Sequence, residues 1–155
     1  KRLCESERSS KRVVKFLHSH NIHMKTMRQI SINFPEILIV DDDSFNLLAL
    51  EAILSKFNLK SVKAFNGQKA IDIIMERLRN FPRSQAFSMV FLDFHMPVKN
   101  GMETTREIIR MFEEEGLVRF PIVACTAFGA RELFEQWSQV GVSDFLIKPV
   151  SFEKI

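Results

Sequence analysis

The chain has 155 residues, 46% of them hydrophobic and 26% charged, with only 5 Gly and 5 Pro. That is enough for one ordinary hydrophobic core, and it excludes a disordered, collagen-like or low-complexity chain. No run approaches the roughly eighteen consecutive apolar residues of a membrane-spanning helix, and Lys1-Arg2 is followed by Glu5-Ser6-Glu7-Arg8 rather than by a signal-peptide core.

The net charge of +3 is divided unevenly, with eight Lys/Arg against two acids in residues 1–34 and fourteen against seventeen in residues 35–155. The basic excess therefore marks residues 1–34 as an extension or linker, partly helical or disordered, and residues 35–155 as a mildly acidic domain. Basic charge lying outside the folded part is a weak signal for nucleic acid, which is not an expected partner. Within the extension, Val13, Val14, Leu17 and Met24 would line one side of a short helix. His18, His20 and His23 read as solvated linker residues, because no Cys or acid of matching spacing accompanies them as metal ligands. A chain that opens on Lys1 reads as part of a longer protein. Two cysteines, Cys4 and Cys125, make no disulfide framework; Cys125, inside an apolar run, reads as a buried reduced thiol, which suggests a cytoplasmic location.

From Glu36 onward, short apolar runs alternate with stretches of helical period. The first run, Ile37-Leu38-Ile39-Val40, leads into a helix with Ser44 as its candidate N-cap and Leu47, Leu50, Leu54 and Phe57 on one face. The second run, Val62 to Phe65, is closed by Asn66-Gly67 before a helix carrying Ala70, Ile71, Ile74 and Leu78. The third, Met89 to Leu92, precedes a helix after Gly101 with Met102, Thr105, Ile109 and Phe112, dissolving into the solvated Glu113-Glu114-Glu115. The fourth, Pro121 to Cys125, precedes a helix from Ala130 to Val140 stopped by Gly141, and the fifth is Phe145-Leu146-Ile147. Trp137 and the Phe-rich stretches read as packing. The runs are continuously apolar, as strands covered on both faces are, so the expected fold is α/β with a parallel sheet and right-handed crossovers. A further helix is expected near Ser151, truncated at Ile155.

The residues that end these strands carry the chemistry. Strand one runs into Asp41-Asp42-Asp43, strand three ends at Asp93, strand four at Thr126 and strand five at Lys148. In an open parallel sheet the crevice beyond the carboxyl ends of the strands is where ligands bind. Asp43 reads equally well as a rim carboxylate and as a helix N-cap. Crowded carboxylates repel one another unless a cation is present, and an oxygen-only ligand set suits Mg²⁺. A carboxylate beside such a metal is positioned to attack phosphorus, with Lys148 and the Thr126 hydroxyl holding the phosphoryl oxygens. Neither GxxxxGK[ST] nor GxGxxG is present, so the site is one that accepts a phosphoryl group, without a nucleotide-binding loop.

Four stretches, taken in order, make the chain from about Ile37 to Glu153 resemble a known family. They are Ile37 to Asp43, Phe91-Leu92-Asp93-Phe94-His95-Met96-Pro97-Val98-Lys99-Asn100-Gly101, Pro121 to Ala127, and Phe145-Leu146-Ile147-Lys148-Pro149. The resemblance is to receiver (response regulatory) domains of two-component signalling, most like those of hybrid histidine kinases. It implies a flavodoxin-like, doubly wound sheet with strand order 2-1-3-4-5. It implies a phosphoacceptor switch module that takes its phosphoryl group from a phosphohistidine on a histidine kinase or histidine phosphotransfer protein. By position, Asp93 would be the phosphoacceptor and a metal ligand. Asp42 would bind Mg²⁺ directly, Asp41 mostly through water, and His95 through its backbone carbonyl. Lys148 would contact the phosphoryl group, Thr126 and Phe145 would rearrange on phosphorylation, and the peptide before Pro149 would be cis, turning the lysine inward. Asp43 stands where related hybrid receivers commonly have Asn, and His95 and Phe128 flank the path of the attacking water.

Such a module is not an enzyme beyond self-catalysed phosphoryl transfer and autodephosphorylation, and this segment itself calls for no membrane contact, whether or not the parent protein is tethered. Two other readings compete. A degenerate receiver would serve only as an interaction surface, which the full set of Asp41, Asp42, Asp93, Thr126 and Lys148 argues against. A phosphatase of the haloacid-dehalogenase type would need a second Asp two residues after the nucleophile, where His95 stands.

Overall fold

In a computed structural model of the chain, residues 36–80, 87–127 and 134–150 are described. The expectations for residues 1–34, including His18, His20 and His23, lie outside these, as do those for Phe128, the start of the fourth helix at Ala130 and the helix near Ser151.

Among the described residues, five strands and four helices alternate: β1 Ile37–Val40, α1 Ser44–Lys56, β2 Ser61–Ala64, α2 Gly67–Asn80, β3 Met89–Asp93, α3 Gly101–Glu114, β4 Ile122–Thr126, α4 Phe134–Val140 and β5 Asp144–Ile147. All strand pairs are parallel, in the order β2-β1-β3-β4-β5. This is the doubly wound, flavodoxin-like arrangement that the apolar runs and the resemblance imply. The observed strands differ from the apolar runs by one residue at several ends. β3 and β4 extend to Asp93 and Thr126, because pairing Asp93 with Cys125 and Thr126 with Ile147 continues the ladder past the apolar run.

The sheet is covered on both sides, and alternate residues of each strand face opposite layers. Ile37, Ile39, Met89, Phe91, Val123, Cys125 and Leu146 pack with Leu47, Leu50 and Leu54 of α1. Leu38, Val40, Val90, Leu92 and Ile122 pack with Ala70, Ile71 and Ile74 of α2 and with Ile108, Ile109 and Phe112 of α3. Ala124, Trp137 and Phe145 form a third cluster at the α4 edge, flanked by Phe94, Met102 and Val142. Among the described residues, no helix is long and apolar enough to cross a membrane.

Two helix starts shape the loops of interest. Asp43, not Ser44, is the N-cap of α1: its side chain accepts from the Phe45 N–H at 2.8 Å, and Ser44 is the first helical residue. The carboxylate wins because its oxygen and the extended backbone at Asp43 reach the unpaired N–H groups of the first turn. α3 begins with a full capping box, in which Asn100 Oδ1 accepts from the Glu103 N–H at 2.9 Å and the Glu103 carboxylate accepts from the Asn100 N–H at 3.1 Å. Gly101 follows, donating its N–H to the Phe94 carbonyl at 3.0 Å. A Cβ there would lie 2.6 Å from the Asp93 carbonyl oxygen, so only glycine lets α3 begin this close to the end of β3.

Candidate functional site

Four of the five parallel strands deliver polar groups to the carboxyl rim. Asp41 and Asp42 directly follow β1, β3 ends in Asp93 and β4 in Thr126, and Lys148 directly follows β5. β1, β3, β4 and β5 are adjacent in the sheet, so these residues converge although up to 107 positions separate them in sequence. Lys148 Nζ lies 2.6 Å from Asp41 Oδ2 and 2.9 Å from Asp93 Oδ1, bridging the two carboxylates. Asp41 Oδ1 also accepts from the Asp43 N–H at 2.9 Å and from Asn46 Nδ2 at 3.1 Å. Asp93 Oδ1 accepts from the Phe94 N–H at 2.8 Å.

Asp41 and Asp93 are buried, Asp42 is exposed, and one carboxylate oxygen of each lies within 4.8 Å of the others. Asp43, exposed and turned into its helix cap, is not in this group. Thr126 is buried at the end of β4, and its hydroxyl donates to the Ala127 carbonyl at 3.2 Å. The exposed His95 packs its ring edge-on against Phe94, with centroids 5.3 Å apart. The Lys148–Pro149 peptide is cis, as the resemblance implies.

Burial raises the Asp93 carboxyl above its ordinary range; Asp41 adds repulsion, while Lys148 and the Phe94 N–H oppose the shift. Burial works against the Lys148 ammonium, but its hydrogen bonds to Asp41 and Asp93 outweigh that and raise it as well. The lysine is thus firmly cationic, and Asp93 is a carboxylate less comfortable than a solvated one. That is the environment in which a carboxylate gains nucleophilic character. Cys125, one strand over, is buried and its thiol is pushed up to about 12, so it takes no part as a thiolate.

The donor set fits a hard divalent cation. One ammonium bridges two of the three carboxylates, the oxygens of all three are close enough to share an ion, and the exposure of Asp42 leaves the mouth of the site open to water. The sequence reading did not foresee Asn46, which fixes Asp41 from the first turn of α1, nor the anchoring of Asp93 by the Phe94 N–H. Asn46 carries a faint signal, as a polar residue three positions after a helix cap; the backbone contact carries none.

With this geometry established, comparison with known proteins identifies the chain. Residues 37–155 match the family model described as the response regulator receiver domain, and the chain belongs to that family. It is 30% identical over 122 residues to the sensor histidine kinase GacS of Pseudomonas protegens, covering 79% of this chain but only 12% of that protein. Its fold matches the receiver domain of the histidine kinase CKI1 of Arabidopsis thaliana, solved in complex with Mg²⁺, at a TM-score of 0.66 and 27% identity over 73% of this chain and 82% of that one. It also matches the co-crystal structure of the Saccharomyces cerevisiae phosphotransfer protein Ypd1 with the receiver domain of Ssk1, at a TM-score of 0.65 and 28% identity over 77% and 83% of the two chains. The chain is therefore a receiver module of the two-component phosphorelay class, and it spans about an eighth of the length of the first curated relatives it matches.

Proposed function

We propose that Asp93 is the phosphoacceptor, taking its phosphoryl group from a phosphohistidine on a histidine kinase or a histidine phosphotransfer protein. The observation that carries this reading is the placement of Lys148 Nζ between Asp41 and Asp93 in a buried pocket whose third carboxylate faces water. Both contacts of Asp93 among the described residues fall on Oδ1, which leaves Oδ2 to attack. In the transfer, a phosphorus–oxygen bond forms to Asp93 as the phosphorus–nitrogen bond breaks, and the donor imidazole takes up a proton.

Asp41, Asp42, Asp93 and the His95 carbonyl would hold Mg²⁺, which supplies neutralising charge for the crowded oxygens. Lys148 holds a phosphoryl oxygen. The Thr126 hydroxyl, leaving Ala127, turns toward the new phosphate, and Phe145 shifts with it. Ypd1 sits on the Ssk1 receiver in the related complex, which supports a phosphotransfer protein as the partner class here. A hybrid histidine kinase is the proposed parent, in keeping with relatives such as GacS.

The test is phosphoryl uptake from acetyl phosphate with Mg²⁺, followed by intact mass. The wild type should gain one phosphoryl group and Asp93→Asn none; normal uptake by the variant would overturn the assignment.

A further inference from the structure

The strongest unassigned feature is a column of aromatic rings running from the acceptor to the α4 edge. Phe94, whose N–H is bonded to the Asp93 carboxylate, stacks on Trp137 with centroids 3.6 Å apart and planes 24° apart. Trp137 stacks in turn on Phe145 at 5.3 Å and 18°, and Phe145 leans on Phe134 at 4.0 Å. His95 closes the other end, edge-on to Phe94. The indole is 1% exposed, and among the described residues its Nε1–H has no hydrogen-bond partner. A buried donor without an acceptor is costly, so packing alone retains the ring in this arrangement, and any displacement that lets the N–H reach water or a carbonyl recovers part of that cost.

We propose that Trp137 is a positioning residue that couples occupancy of Asp93 to the placement of Phe145, through direct ring contact with Phe94 on one side and Phe145 on the other. The proposal rests on Asp93 being the acceptor. Phe94 is fixed to the reacting carboxylate by its own backbone, and a phosphoryl group on Asp93 changes what that N–H bonds to. Phe145 cannot leave its place without sliding off the indole, because Trp137 and Phe134, one turn apart on α4, both contact its ring. Trp137 therefore restrains Phe145 while Asp93 is vacant. Asp41 and Asp42, which follow β1, lie outside the column, so the coupling acts chiefly on the phosphoryl-like ligand and reaches Mg²⁺ only through the groups proposed for it at Asp93 and His95.

Trp137 is the single tryptophan of the chain, so its emission reports this position alone. The experiment uses the whole chain, with beryllofluoride as the phosphoryl mimic. Its binding is followed by fluorine NMR and Mg²⁺ binding by calorimetry, for the wild type, Trp137→Phe and Trp137→Leu. In the wild type, beryllofluoride with Mg²⁺ should shift the tryptophan emission well beyond any shift with Mg²⁺ alone. Trp137→Phe keeps a stacking ring and should hold beryllofluoride affinity within about twofold, whereas Trp137→Leu should tighten it about fivefold or more, the low end of ordinary coupling between sites. Mg²⁺ affinity should change by about twofold at most in both variants, less than the beryllofluoride affinity of Trp137→Leu, a split that a merely structural role would not produce. If beryllofluoride binds the wild type with no change in emission, or if Trp137→Leu binds it as the wild type does, the coupling is overturned while the acceptor assignment stands. If beryllofluoride binds Asp93→Asn as well as the wild type, the acceptor assignment fails and the coupling with it. Should Trp137→Leu fail to fold, the wild-type emission still decides.

Discussion

Asp41, Asp42 and Asp43 are identical in chemistry and consecutive in sequence, yet they occupy three different situations. Asp41 is buried and bonded to Lys148, Asn46 and a backbone N–H; Asp42 is exposed on the rim; Asp43 caps α1. Asp42 therefore contributes repulsion toward Asp41 and Asp93 and gains little from the fold. Asp42→Asn should raise the metal-free melting temperature by about 1–2 °C, a small effect because the group is solvated, and should reduce the stabilisation by millimolar Mg²⁺. Four melts, each protein with EDTA and with Mg²⁺, check both statements; a variant that melts lower in EDTA and gains as much from Mg²⁺ would place the metal elsewhere. Cys125, beside the site on β4, gives a pH signature. Its thiol is raised from 9.0 to about 12 in the fold, so between those values the folded chain holds a proton that the unfolded chain releases. Stability falls as pH rises wherever the folded state binds more protons. The wild type should lose about 1–2 kcal/mol against Cys125→Ala between pH 9 and pH 10.5, measured by urea unfolding at each pH. Equal slopes would mean that the thiol ionises freely in the fold.

The loop from β3 to α3 is held at both ends and strained in the middle. Gly101 clamps its exit against the Asp93 carbonyl, and Lys99 pairs with Glu107 of α3. Between them, Lys99 N–H bonds back to the Pro97 carbonyl at 2.8 Å, a γ-turn centred on Val98 with φ of 70°. A β-branched residue is poorly suited to positive φ, and Val98 is 88% exposed, so no packing compensates. The only other described non-glycine residue at positive φ is Asn58, which tolerates it far better. Val98→Gly should stabilise the domain by about 1 kcal/mol, the strain relieved exceeding the added entropy of the unfolded chain. Thermal melts with EDTA test this. A variant that melts lower would show that the valine side chain supports the loop through contacts rather than straining it.

At the scale of the whole molecule, β1 lies inside the sheet between β2 and β3, with α1 on one face and α2 on the other. Arg77 of α2 reaches Glu36, directly before β1, and lies 4.3 Å over the Phe87 ring, tying together the residues that lead into β1 and β3. We propose that residues 1–34 are an extension outside this domain. A chain starting at Pro35 should then melt within about 2 °C of the full chain and bind Mg²⁺ equally well, since removing solvated residues changes stability little. A markedly lower melting temperature would place part of the extension on the domain.

The fold class and the acidic set were legible in the sequence because both signals are local. Continuously apolar runs of four or five residues mark strands covered on both sides, and a polar residue directly after each run marks the rim. Strand order, 2-1-3-4-5, came from the resemblance. What only the tertiary structure decided depends on neighbours distant in sequence. Whether Asp43 joined the rim or capped a helix turned on where α1 begins, one residue earlier than its polar pattern suggests. The bridge from Lys148 to Asp41 and Asp93 exists because β5 stands two strands from β3, with β4 between. The ring column required α4 to lie against β5 and the start of the β3–α3 loop. Trp137 reads as ordinary packing in sequence, and it is packing; its place between Phe94 and Phe145 is set by contacts that no residue pattern within α4 encodes.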